Sequence, residues 1–214
     1  LGKTLIVLNG VFNNQKNKFQ KIINEYDRII AVDGGYKFLK NIIDKEPDIL
    51  IGDFDSIDRN SKLLKNFNGE TYEFDSDKDK TDGELSVDYC LEKGLNDITF
   101  IGATRGRLDQ QFGNILLLEY ANNRDINANI VEPGIEVNLI TDKKIIQNKT
   151  GHILSLFSLS DKAIINRLEG CKYELDNYTL ERASSRGISN IIKEKKTIIK
   201  VESGKLLVFI CKKC

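Results

Sequence analysis

The chain contains no methionine, no tryptophan and a single histidine in its 214 residues. It carries no net charge, with 32 basic residues against 32 acidic ones. Each shortage excludes something. A nucleic-acid binder carries a basic excess or a basic patch. Here lysines and carboxylates are interspersed with no cationic stripe, so no nucleic-acid partner is expected. No apolar run approaches the roughly 20 residues of a membrane-spanning helix, so no membrane partner is expected either. The lone histidine, His152, falls in the apolar run His152–Phe157 and reads as a strand residue. Nucleophilic triads of the Ser-His-Asp or Cys-His kind therefore have no support. The four cysteines are scattered, and the one C-x-x-C closes the chain at Cys211 and Cys214. Zinc would need a second ligand pair at suitable spacing. Free thiols in a reducing, cytoplasmic setting are the expectation. With Leu at position 1 and no methionine anywhere, an initiator is expected to have been removed. The apolar core of Thr4–Leu8 is too short for a signal peptide and reads as a buried strand.

What is present is a chain 40% apolar and 30% charged. Its length suits one large or two small domains and buries roughly 70% of the unfolded surface. Five short apolar runs share one pattern. Thr4–Leu8 leads into Asn9-Gly10, and Arg28–Val32 into Asp33-Gly34-Gly35. Asp48–Ile51 leads into Gly52-Asp53-Phe54-Asp55-Ser56, Thr71–Phe74 into a run of aspartates, and Ile98–Ile101 into Gly102–Asp109. Nearly continuous apolar runs suit strands buried on both faces of a parallel sheet. Helical spacing follows in Phe19, Ile22 and Ile23, and in Phe38, Leu39, Ile42 and Ile43. It recurs from Leu85 to Leu91, and in Phe112, Ile115, Leu116 and Leu118. Thr81 and Glu84 fit a capping box that opens the third helix, and Gly94 fits its stop. This alternation predicts an α/β domain with a mostly parallel sheet, over residues 1–129. Ligands bind such sheets outside the carboxyl ends of the strands, where the Asp, Gly and Arg residues collect.

After about Asn129 the alternation stops. Val137–Thr141, His152–Phe157, Ala163–Arg167, Thr197–Val201 and Lys205–Ile210 read as short strands. Glu202–Lys205 suits a hairpin turn. Residues 130–214 are expected to form an all-β sandwich or small barrel.

The stretch Phe74–Glu84, FDSDKDKTDGE, concentrates aspartate. A calcium-binding EF-hand loop needs Gly at its sixth position and Glu at its twelfth. Counting from Asp75 these are Lys80 and Ser86, and from Asp77 they are Asp82 and Asp88, so both registers fail. If Asp53, Asp55 and Asp82 converge at the sheet edge, two of them about 4 Å apart repel by roughly 4 kcal/mol at an effective dielectric near 20. A hard cation relieves that repulsion, and oxygen ligands favour Mg²⁺ or Mn²⁺. In Gly102–Asp109 the glycines let backbone approach phosphate oxygens, and Arg105 and Arg107 offer a bidentate clamp. Neither a Walker A loop nor a dinucleotide G-x-G-x-x-G is present. Phosphoryl-group transfer, which relies mostly on positioning and charge neutralisation, fits these parts.

The same motifs resemble the thiamine pyrophosphokinase family. AVDGG (31–35), IGDFDS (51–56), KDKTD (78–82) and GATRGRLDQ (102–110) with Asn114 follow its order. GCKYEL (170–175) and GISN (187–190) match its C-terminal half, so the resemblance spans nearly the whole chain. It implies transfer of the diphosphate of ATP to the thiamine hydroxyl, giving AMP and thiamine diphosphate. It implies Mg²⁺ on Asp53, Asp55 and Asp82. It implies nucleotide contacts from Asp33, Lys78, Asp79, Thr81, Thr104, Arg107, Asp109, Gln110 and Asn114, with Arg107 also at the reacting phosphates. Ser189 and Asn190 would contact thiamine. A homodimer is implied, with thiamine between one subunit's α/β domain and the other's β domain. Some members stack thiamine on a tryptophan, which this chain lacks, leaving Tyr173, Tyr178 or another aromatic. A metal-dependent phosphohydrolase and a non-catalytic binder of nucleotide or thiamine are the alternative readings.

Overall fold

The computed structural model describes residues 2–12, 15–53, 67–74 and 79–213. The chain divides into two compact units, Leu1–Pro133 and Gly134–Cys214.

The first unit holds six strands: β1 (Thr4–Val7), β2 (Arg28–Val32), β3 (Ile49–Gly52), β4 (Glu70–Glu73), β5 (Asp97–Ile101) and β6 (Asn127–Glu132). They lie in the order β6-β5-β1-β2-β3-β4, and every pair among them is parallel. The five expected strands are all there, and β6 adds a sixth that the alternation in sequence did not reveal. β1 and β3 are buried at every position, as a sheet covered on both faces requires. Full burial of each Ile, Leu or Phe contributes about 1.5–3 kcal/mol.

Helix α1 (Lys16–Ile23) turns Phe19 and Ile23 inward. Helix α2 (Gly35–Phe38) widens into a π turn over Leu39–Ile43. Both pack with Leu5, Val7, Ala31 and Leu50 on one face of the sheet. α2 ends where Asp44 takes a left-handed φ of 62°. Helix α3 (Asp82–Glu92) packs near β2 and β3, and α4 (Leu108–Asn122) near β6 and α3. The capping box of α3 is present. The Glu84 amide donates to Thr81 Oγ1 at 3.2 Å, and Glu84 Oε2 accepts from the Thr81 amide at 2.9 Å. Gly94 stops this helix with φ +67°. The apolar face of α4 differs from expectation. Leu117, Leu118 and Ala121 are its buried residues, while Phe112 is 62% exposed.

The chain leaves β1 towards β2–β4 on one side and comes back to β5 on the other. This reversal opens a crevice at the carboxyl ends of β1 and β5. There the two following loops pass in backbone contact: a Cβ on Gly10 would overlap the Gly102 carbonyl.

The second unit is antiparallel, as expected. One sheet orders β12 (Asn190–Ile191), β9 (Ile153–Ser158), β14 (Leu206–Cys211) and β7 (Ile135–Ile140). The other orders β11 (Leu175–Glu181), β10 (Lys162–Glu169), β13 (Lys196–Ser203) and β8 (Lys143–Gln147). Burial alternates along β9 and along most of β10 and β13. Side chains from both sheets, among them Leu154, Leu156, Val208, Ile165 and Ile199, form one core, which makes a sandwich. The expected hairpin at Glu202–Lys205 is not one. β13 pairs with β8 and β10, whereas β14 pairs with β7 and β9. Gly204 (φ +86°) sits so close to β10 that a Cβ there would lie 2.5 Å from the Lys162 carbonyl. The turn carries the chain from one sheet to the other.

Candidate active site

A cleft of about 850 Å³ opens at the carboxyl edge of the parallel sheet. Asn9 and Gly10 after β1, Asp33 after β2, Asp53 after β3 and Arg105 after β5 all line it. Lys80–Glu84 at the start of α3 and one face of α4 complete it. Four strand ends and two helix starts thus bring chemistry from distant parts of the sequence to one place.

Local backbone explains the positions. Asp33 takes a left-handed φ of 45°, so the chain bends sharply off β2. Its carboxylate accepts from Asn9 Nδ2 at 2.9 Å, tying the β2 loop to the β1 loop. Side chains at Gly34 and Gly35 would strike Asn9 and the Val7 carbonyl, respectively, so AVDGG needs glycine at both positions. Gly83 lies where a Cβ would stand 2.7 Å from Leu117 Cδ1, which lets α3 press against α4 behind Asp82.

Of the residues implied by the resemblance, Asp33, Asp53, Thr81, Asp82, Asp109, Gln110 and Asn114 line this cleft. Asp55 and Lys78 lie outside the described residues, as do Asp75 and Asp77. Asp79 is exposed and is not among the lining residues. Arg107 also lies off the cleft wall: it pairs with Asp109 at 2.5 and 3.1 Å, with both side chains largely exposed. That pairing raises the Arg107 guanidinium further and holds the Asp109 carboxyl below its usual value. Arg105, two residues earlier, does line the wall.

The loop Gly102–Gly106 is pinned from three sides. Asn114 Nδ2 donates to the Ala103 carbonyl at 3.1 Å. Gln111 Nε2 donates to the Gly106 carbonyl at 3.0 Å. The Ala103 amide donates to Glu132 Oε1 at 2.8 Å. Glu132 is 3% exposed, and burial pushes its carboxyl up against the lowering effect of the nearby Gly102, Ala103 and Thr104 backbone amides. A lone glutamate at the end of a strand broken by asparagines carries no pattern in the sequence.

Asp88 carries no sequence pattern either. It accepts from Lys80 Nζ at 2.7 Å, from Tyr120 OH at 3.0 Å and from Arg124 Nε at 3.0 Å. Burial works to raise its carboxyl, but these bonds and charges outweigh burial and hold it below the usual carboxylate range. Arg124 also lies over the Tyr120 ring, 3.4 Å from its centroid. This cluster ties α3 to α4 and fixes Lys80 and Tyr120, both in the cleft wall.

Among the described residues no three His, Cys, Asp or Glu side chains gather closely enough to form a metal site by themselves. Mg²⁺ commonly takes one or two carboxylates and completes its shell with water and phosphate oxygens. Asp53 and Asp82 both line the cleft.

In the second unit, Ser189 is exposed, takes φ 65° and donates its amide to Ser155 Oγ at 3.1 Å. Asn190 is buried, and its side chain is occupied by Tyr173. It accepts from the Tyr173 amide at 3.0 Å and donates to the Tyr173 carbonyl at 2.6 Å. Asn190 therefore holds Tyr173, a residue 59% exposed. Cys90 and Cys171 are buried free thiols, pushed up by burial to about 12 and about 11. Among the described residues no helix is long and apolar enough to cross a membrane.

Comparison with known proteins agrees with this fold. Residues 19–130 match the family described as thiamin pyrophosphokinase, catalytic domain. Residues 141–208 match thiamin pyrophosphokinase, vitamin B1 binding domain. A thiamine pyrophosphokinase of Bacillus subtilis is 28% identical, covering 88% of this chain and 89% of that protein. The crystal structure of a thiamin pyrophosphokinase from Geobacillus thermodenitrificans superposes with a TM-score of 0.83 at 26% identity, covering 99% and 98% of the two chains. That of yeast thiamin pyrophosphokinase shares the fold, with a TM-score of 0.79 at 16% identity over 98% and 86%. With its α/β unit and its β sandwich each matched to a domain of the same enzyme, the chain belongs to the thiamin pyrophosphokinase family.

Proposed function

We propose that this enzyme transfers the terminal diphosphate of ATP to the hydroxyl of thiamine. A bond forms between the thiamine oxygen and the β-phosphorus. The bond from the β-phosphorus to the oxygen shared with the α-phosphate breaks, AMP leaves with that oxygen, and the hydroxyl proton is released to solvent. The observation that carries the reading is the convergence of Asp53, Asp82 and Arg105 on one cleft at the carboxyl sheet edge. The nucleotide phosphates would lie along the wall from Asp33 to Arg105. Arg105 would take phosphate oxygens, with the Arg107–Asp109 pair at the rim. Asp53 and Asp82, with Asp55, would hold Mg²⁺, which neutralises phosphate charge when bound. Such transfers need alignment and charge neutralisation more than a strong base, which suits a cleft whose wall holds carboxylates and no histidine.

Thiamine would meet the Ser189 loop and the exposed Tyr173 ring, the aromatic that Asn190 holds in place. The working form would be a homodimer that completes each thiamine site from both subunits. Leu108 and Phe112, 79% and 62% exposed at the start of α4, supply apolar surface for a partner to cover.

The test is to incubate purified protein with ATP, Mg²⁺ and thiamine. AMP is expected in step with thiamine diphosphate, with neither formed when thiamine is omitted. Phosphate release independent of thiamine would instead identify a phosphohydrolase. Binding without turnover would identify a non-catalytic binder.

A further inference from the structure

Asp88 is one carboxylate shared by two cations and a phenol. It accepts from Lys80 Nζ at 2.7 Å, from Tyr120 OH at 3.0 Å and from Arg124 Nε at 3.0 Å. The three donors are not equivalent. Tyr120 belongs to α4 and Arg124 follows its end, so their bonds join α4 to α3. The Arg124 guanidinium is held a second time, over the Tyr120 ring. Lys80 stands just before α3, the helix that carries Asp88. Its bond therefore adds no tie between elements. The Lys80 side chain is 48% exposed and that of Asp88 20%, and an ion pair this open to water adds little to stability. With Lys80 removed, Asp88 would still face Arg124 and Tyr120, one charge against one. The cleft supplies the second observation. Among the described residues that line it, Lys80 and Arg105 are the two cations, set against more carboxylates, Asp33, Asp53, Asp82 and Asp109 included. Phosphoryl-transfer sites pair metal ions with lysine or arginine to offset phosphate charge, so a nucleotide in this wall needs both cations. Asp88 lies about 9 Å along α3 from Asp82, at roughly 1.5 Å per residue. Lys80 thus reaches along the helix, away from the end where Asp82 stands. Its flexible four-carbon stem lets rotation about its own bonds carry the ammonium to that end.

We infer that Lys80 is a second phosphate-binding cation of the cleft: it bonds Asp88 in this structure and exchanges that carboxylate for an oxygen of the β- or γ-phosphate when the nucleotide binds, while Arg124 and Tyr120 keep Asp88 satisfied. The inference rests on the reading of the cleft as the ATP site. Asp88 touches no substrate; it is the resting partner of Lys80.

The test is calorimetry with ATP and with AMP, both with Mg²⁺, on the parent, Lys80→Ala, Lys80→Arg and Asp88→Asn. Lys80→Ala should bind ATP about tenfold more weakly, bind AMP as the parent does, and melt close to the parent. Lys80→Arg keeps the charge and should recover most of the ATP affinity. Asp88→Asn frees Lys80 and should bind ATP at least as tightly as the parent. Should Lys80→Ala fail to fold, Lys80→Gln carries the same expectation. Parental ATP affinity in Lys80→Ala, or equal losses for ATP and AMP, would reduce Lys80 to a surface ion pair and overturn the proposal. Weakened ATP binding by Asp88→Asn would overturn it too, since the cluster would then be shaping the wall rather than lending it a cation. A parent that makes thiamine diphosphate, with ATP affinity unaltered in Lys80→Ala, sinks this inference alone. The predicted losses in a protein that makes no thiamine diphosphate support this inference and sink the diphosphokinase reading alone.

Discussion

At the scale of single residues, the cleft separates groups that do chemistry from groups that hold them. The proposed function puts Asp82 among the first. Replacing it with alanine removes one carboxylate from the start of α3, where an acid contributes about 0.3–1 kcal/mol through the helix dipole. Turnover by Asp82→Ala is expected to fall about 10²–10³-fold while the urea midpoint moves little. A large loss of stability would make Asp82 a helix cap and nothing more. Asp88 belongs to the second kind. Its carboxyl is held low, so its contribution to stability is present above the ordinary aspartate value and lost as pH falls through the depressed folded value. Asp88→Asn should cost about 1.5–3 kcal/mol at neutral pH, the range for hydrogen bonds to a charged group. The gap from the parent should close in acid, which denaturation curves at several pH values would show. The acidic and glycine motifs were readable in sequence because several of them share one strand-to-loop pattern. Glu132 and Asp88 were not, because Glu132 binds an amide 29 positions away and Asp88 binds Tyr120 and Arg124 32 and 36 positions away, with no local spacing to betray either.

At the scale of elements, the strands buried on both faces and the capped helix were legible. A continuous apolar run and a Thr-x-x-Glu box are local signals. Thr81→Ala should therefore destabilise by about 1 kcal/mol in a thermal melt. β6 was harder, since Asn127 and Asn129 interrupt its apolar run while Thr99 Oγ1 on β5 meets the Asn129 side chain at 2.6 Å. The Glu202–Lys205 turn misled for another reason: turn chemistry predicts a bend, and only pairing partners tell a hairpin from a passage between sheets. The glycines sort by what surrounds them. Gly10→Ala forces a Cβ into backbone of the Gly102 loop and should unseat the cleft. Gly94→Ala has φ +67° and open space, so backbone strain of about 1 kcal/mol is all it should show. Comparing the melting temperatures of the two variants checks the close approach of the β1 and β5 loops.

At the scale of the whole molecule, the two halves of the chain match the catalytic and the vitamin B1 binding domain of one family, and the proposed function assigns nucleotide residues to the first and the Ser189 and Tyr173 region to the second. If a homodimer completes the thiamine site, Phe112→Asp should shift the protein to monomer in sedimentation and lower kcat/KM for thiamine with the α/β unit still folded. The central claim concerns which phosphorus is attacked, and one labelling measurement reads it directly. ATP carrying ³²P at the β-position is mixed with enzyme, Mg²⁺ and thiamine, and the products are separated. The account predicts the label in thiamine diphosphate and unlabelled AMP. Label left in ADP, or released as free phosphate or diphosphate while thiamine stays unmodified, would contradict it.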